Sequence, residues 1–89
     1  MEHAMERAVI LGNKAGLHAR PAAIFVQQAQ GFQCQITLSK NGKTANGKSI
    51  LSILTLGAEQ GDQIILTADG ADAEAAIDRL TLLLEAGAE

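Results

Sequence analysis

A histidine and an arginine stand two residues apart in Gly16-Leu17-His18-Ala19-Arg20-Pro21-Ala22. Pro21 fits only the first turn of a helix, where its missing N–H has no partner to lose. His18 therefore lies at or just before a helix N-terminus. The positive end of a helix disfavours a further positive charge beside it. A neutral imidazole nitrogen is a nucleophile, and the same helix end offers unpaired N–H groups to an anion. Arg20 adds a permanent charge on a planar fork that matches phosphate oxygens. These residues could form a site where histidine accepts a phosphoryl group and the new charge is stabilised. The competing reading is a loop histidine whose imidazole only hydrogen-bonds the helix end. No paired carboxylate, metal-ligand set or Gly-rich nucleotide loop accompanies the stretch, which favours a carrier over an enzyme with its own turnover.

The elements that must position these residues follow from periodicity. Arg7–Leu11 (RAVIL) is apolar and branched and reads as a strand. Residues 12–16 read as a loop with turn residues at both ends. Ala22, Phe25, Val26 and Ala29 recur at helical spacing and predict a helix over 19–30, stopped at Gly31. Gln33–Lys40 alternates, with Cys34, Ile36 and Leu38 on one side, as a half-buried strand does. Asn41-Gly42 is a two-residue hairpin signal that returns the chain as a short strand over 43–46. Ser49–Thr55 (SILSILT) is ambiguous, but a serine cap followed by Ile50, Ile53 and Leu54 at helical spacing favours a short helix. Gln63–Ala68 is a further strand. Asp72 is expected to cap a last helix to about Ala86, with Ala76, Ile77, Leu80, Leu83 and Leu84 as its apolar stripe.

The order β-α-β-β-α-β-α lacks sustained βαβ alternation. It predicts an α+β open-faced β-sandwich, a four-stranded antiparallel sheet with three helices on one face. The expected organisation is a single domain over 1–89 with its core in 7–86.

Composition excludes several classes. Of the 89 residues 47% are hydrophobic, which predicts a packed core rather than disorder. A chain this short buries only roughly 60–65% of its unfolded surface, and with Phe25 and Phe32 the sole aromatics, aliphatic side chains and alanine must fill the interior. Cys34 is the single cysteine and, with two histidines, makes a poor metal set; an inert structural role is expected of it. His3, in a tail expected to fray, is assigned no role. No apolar run reaches the ~18 residues of a membrane span, and Met1–Leu11 lacks the pattern of a secretory signal, so a soluble cytoplasmic protein is expected. The net charge of −3 hides an asymmetry: six basic and no acidic residues over 7–58, then eight acidic residues and Arg79 from Glu59 onward. This gives either two ordinary solvated faces or a positive face for a phosphate or an acidic protein. Nucleic acid fits poorly, since the chain is acidic overall and almost devoid of stacking aromatics.

GLHARPA, the helix after it, the NGK hairpin and then Lys48-Ser49-Ile50 with Leu56-Gly57 resemble the HPr family, the histidine-containing phosphocarriers of the bacterial phosphoenolpyruvate-dependent sugar phosphotransferase system. The likeness runs from about Arg7 to Leu84. It implies the fold predicted above, no cofactor, and a role as carrier rather than enzyme. Enzyme I, charged from phosphoenolpyruvate, would phosphorylate His18 on Nδ1. His18 would pass the group to the IIA domain of a sugar permease, with Arg20 binding the phosphoryl oxygens. Ile50, Leu51 and Leu54 match family positions of an apolar docking patch, whereas Ile53 is the core candidate. Ser49 matches a regulatory phosphoserine of some members, modified by an ATP-dependent kinase/phosphorylase whose product acts as a corepressor with a transcriptional regulator. Some members carry lysines on the first helix near Gln27 and Gln30; this face is neutral here, which reduces electrostatic steering. A monomer is expected. The rival readings are a regulatory paralogue, in a nitrogen-type or dihydroxyacetone phosphorelay, and a Ser49-dependent catabolite-control binding module that never uses His18.

Overall fold

The computed structural model of the chain describes residues 4–86. Its elements follow the order β1 (Ala4–Ile10), α1 (Ala19–Ala29), β2 (Gln35–Lys40), β3 (Lys43–Asn46), α2 (Ile50–Leu54), β4 (Gln63–Asp69) and α3 (Ala73–Ala86). The strands form one antiparallel sheet in the order β1-β4-β2-β3. Period-two alternation gives that sheet a covered and an open face. Val9, Ile36, Leu38, Ala45, Ile64, Leu66 and Ala68 are buried on the covered side. They meet Ala22, Phe25, Val26 and Ala29 of α1, Ile53 of α2, and Ala73, Ala76, Ile77, Leu80 and Leu84 of α3 in one hydrophobic cluster. The open-faced sandwich predicted from the sequence is the fold observed. Each fully buried Leu, Ile or Phe contributes about 1.5–3 kcal/mol, so a core almost without aromatics still holds a chain of this length.

The hairpin forms where Asn41-Gly42 places it. Asn41 and Gly42 have φ of 52° and 83°, the left-handed pair of a type I′ turn, and Lys40 faces Lys43 across it. Four strand boundaries differ from expectation: both ends of β1, which closes at Ile10 rather than Leu11, the start of β2, and the end of β4, which runs on to Asp69 rather than Ala68. β1 begins at Ala4 rather than Arg7, because β4 extends to Asp69 and Ala4 pairs with that residue. β2 begins at Gln35 rather than Gln33. The Gln33 and Cys34 amides are instead taken by the Asp72 carboxylate, at 2.8 and 2.9 Å. Asp72 does immediately precede α3, but its carboxylate oxygens accept from the chain entering β2. The expectation for His3 falls outside the described residues.

The linear charge asymmetry is partly neutralised in space. Arg7 pairs with Asp78 at 3.2 Å and Lys40 with Asp62 at 3.0 Å, each joining the basic half to the acidic half. No helix among the described residues is long and apolar enough to cross a membrane.

Candidate functional site

The connection from β1 to α1 is held before it reaches His18. Leu11 N donates to Asp62 O at 2.9 Å, and Gly12 N to Leu84 O at 2.9 Å. The Asn13 Oδ1 accepts from Ala15 N at 2.8 Å, and Gly16 N donates to Asn13 O at 2.9 Å, which closes a tight turn. Gly16 has φ +69°, and a Cβ there would run into the Ala58 carbonyl oxygen, so only glycine fits. Leu17 is buried, and its N–H donates to that same Ala58 carbonyl at 3.0 Å. His18 is therefore presented from a backbone pinned on both sides.

His18 is the N-cap residue of α1, extended at φ −90° and ψ −165°, and its side chain makes no hydrogen bond to the helix. The imidazole is exposed. The first intrahelical bond is Ala22 N to His18 O, 2.9 Å, and Pro21 has no N–H. The Ala19 and Arg20 amides have no protein partner among the described residues. Arg20 is exposed. This arrangement pairs a ring nitrogen free to bond outward with the positive end of a three-turn helix and a guanidinium one residue further on.

Beside Arg20 lies an open hollow walled by Asn13, Lys14, Ala15, Arg20 and Pro21. Lys14 was not singled out by its sequence context, a loop with turn residues at both ends. The signal available was the concentration of cations in the first half of the chain.

Ser49 and the apolar residues after it sit on α2, which packs against α1. Ser49 is the N-cap of α2, φ −130° and ψ 117°, and its hydroxyl accepts from Ser52 N at 3.2 Å. Ser52 Oγ in turn accepts from Asn46 N at 2.8 Å, tying the helix to the end of β3. Lys48 Nζ donates to Phe32 O at 2.6 Å, which places the start of α2 near the end of α1. The Leu17–Ala58 bond places the segment after α2 beside His18. Lys43 Nζ reaches Thr55 O at 2.7 Å and Lys40 Nζ reaches Gly57 O at 3.1 Å, cations satisfying carbonyls at and after a helix C-terminus. Ile53 is fully buried, as expected of it, whereas Leu51 is 78% and Ile50 39% exposed. Leu54 is only half-buried, packed against the core.

Cys34 is buried, and its thiol is pushed up to about 11, first by that burial and then by the Asp72 carboxylate. Asp72 itself is held below the ordinary carboxylate value of 3.8, chiefly by the Gln33 amide.

The chain is similar to known proteins over most of its length. Residues 5–86 match the family described as the PTS HPr component phosphorylation site. The phosphocarrier protein HPr of Streptomyces coelicolor is 45% identical over 85 residues, covering 94% of this chain and 91% of that protein. The crystal structure of a phosphocarrier protein HPr from Bacillus anthracis superposes with a TM-score of 0.89 at 41% identity, covering 92% of this chain and 98% of that one. Crh, the catabolite-repression HPr-like protein of Bacillus subtilis, superposes with a TM-score of 0.77 at 38% identity, covering 85% and 87%. That Crh structure is a domain-swapped dimer, so the monomer expected from sequence does not follow from kinship alone. With the match extending through nearly every described element, this chain belongs to the HPr family of phosphocarriers of the phosphotransferase system.

Proposed function

We propose that this chain accepts a phosphoryl group on His18 from phosphorylated Enzyme I and delivers it to the IIA domain of a sugar permease, in the cytoplasm. The observation that carries the reading is the exposed His18 ring at the α1 N-cap, unbonded to its own helix. In the first transfer His18 Nδ1 attacks phosphorus with its lone pair, and the P–N bond forms as the bond to the Enzyme I donor atom breaks, that atom keeping the electron pair. In the second transfer an acceptor atom of the IIA domain attacks phosphorus, and His18 Nδ1 leaves with the P–N electron pair. With the ring proton on Nε2, no proton has to move. Arg20 and the α1 amides meet the phosphoryl oxygens, so this chain contributes alignment and charge stabilisation. Ile50 and Leu51 supply exposed apolar surface for the partner, and Leu54 supports them from a half-buried position, a pattern suited to transient docking.

The similarity to Crh favours one further role, regulation at Ser49. A phosphate there would exchange the neutral cap bond to Ser52 N for a charged one. Its charge of about −1.5 to −2 would repel an acidic partner. This modification needs an ATP-dependent serine kinase and suits a complex with a transcriptional regulator. A nitrogen-type or dihydroxyacetone relay would use the same His18 chemistry with different partners.

The test is a relay assay with phosphoenolpyruvate, cognate Enzyme I and a cognate IIA domain. The wild-type chain should take up phosphate and lose it when IIA is added. His18→Ala should take up none, and Arg20→Gln should transfer roughly 10²-fold more slowly. Failure of the wild type to accept phosphate from an active cognate Enzyme I contradicts the carrier role.

A further inference from the structure

We infer that Lys14 is a second cation for the transferred phosphoryl group, acting with Arg20 across the hollow they share. The inference rests on the carrier role of His18 and adds a residue to it.

Lys14 and Arg20 stand on the wall of one open hollow, and no acidic side chain lines it. Neither side chain makes an ion pair or hydrogen bond among the described residues. The other cations of the basic half are engaged: Arg7 with Asp78, Lys40 with Asp62 and Gly57 O, Lys43 with Thr55 O, and Lys48 with Phe32 O. Two uncommitted like charges on one hollow repel each other, and an anion between them removes that cost. The backbone that carries Lys14 is fixed by the Asn13–Gly16 turn and by the Asn13 side chain on Ala15 N. The lysine stem is long and its ammonium can rotate its three donors.

Charge balance selects the anion. A phosphorylated side chain carries about −1.5 to −2, and Arg20 supplies only one positive charge. Lys14 supplies a second from outside α1, on the loop that leads into His18. Arg20 offers a planar fork and Lys14 a point charge, so the two can bind different oxygens of one phosphoryl group. Lys14 would thus hold the group while the P–N bond is made and broken.

Steady-state transfer from cognate phospho-Enzyme I to wild type, Lys14→Gln and Lys14→Arg tests this directly. Loss of an exposed charge pair predicts a kcat about fivefold lower in Lys14→Gln, with KM little changed, and recovery of most of that loss in Lys14→Arg. An unchanged kcat, or a rise in KM alone that disappears at high salt, overturns the proposal and leaves Lys14 a steering charge. A second measurement does not depend on the relay. Inorganic phosphate is titrated into the unphosphorylated protein while the side-chain NMR signals of Lys14 and Arg20 are followed. Both signals should move on one saturation curve that weakens in Lys14→Gln. Movement of Arg20 without Lys14, or of neither, contradicts shared binding. If the wild type fails in the relay but both signals respond to phosphate, the carrier role falls and the Lys14–Arg20 anion site stands.

Discussion

The placement of His18 and Arg20 at the start of α1 was legible because it is local. Pro21 fixes the helix start, and the helix start fixes what the preceding histidine faces. Lys14 was not legible, since a lysine in a loop reads as solvated until the fold sets it on the same hollow as Arg20. Cys34 reads correctly as structural, but its environment depends on Asp72, 38 residues away. Its thiol, raised from 9.0 to about 11 by burial and that carboxylate, is protonated at neutral pH and a poor nucleophile. In the native protein at pH 8, iodoacetamide should label Cys34 far more slowly than in urea-unfolded protein; equal rates would contradict its burial. The raised value also has a sign in stability. The contribution is complete below the unfolded value of 9.0, and it is lost between there and about 11 as the unfolded chain ionises first.

At the scale of elements, α2 was the ambiguous segment, since SILSILT permits a strand by length and branching while its serine and apolar spacing favour a helix. The Ser49 cap decides it locally, and the Ser52–Asn46 bond ties the resulting helix to β3. Which of its apolar residues turn inward was only partly readable, because a five-residue helix shows too little period to fix a face. The structure separates them. Ile53→Ala should cost about 2–5 kcal/mol in urea unfolding, as large-to-small core changes do. Leu51→Asp, at a 78% exposed position, should stay within about 0.5 kcal/mol of wild type while raising the KM for Enzyme I. If Leu51→Asp instead destabilises the fold as much as Ile53→Ala, the docking role assigned to α2 loses its basis. The strand ends that differ from the sequence reading have tertiary causes: the end of β4 sets the start of β1, and Asp72 withholds two amides from β2.

At the scale of the whole molecule, the alternating strands and the two long amphipathic helices made the sandwich predictable. What the pattern could not show is how its halves are stitched together. Asp72 binds the amides of Gln33 and Cys34, and Asp62 binds the Glu59 amide and Lys40. Both carboxyls are held below the ordinary 3.8, in each case first by a backbone N–H. Depressed carboxyl values contribute stability above the unfolded value, and that contribution is lost as pH falls through the folded one. Urea unfolding of wild type and Asp72→Asn should therefore differ at pH 5 and converge as the pH drops below 3.8. A difference that stays constant down to pH 2 would contradict the assignment. These stitches leave the His18 end of α1 exposed on a scaffold pinned elsewhere, which suits the proposed relay.

The central claim is that the phosphoryl group rides on His18, and the most direct measurement is heteronuclear NMR of the chain after incubation with phosphoenolpyruvate and cognate Enzyme I. The account predicts one phosphorus signal coupled to Nδ1 of His18, acid-labile and alkali-stable, and lost on addition of a cognate IIA domain. A phosphorus signal on any other residue, or none with Enzyme I shown to be active, would contradict it.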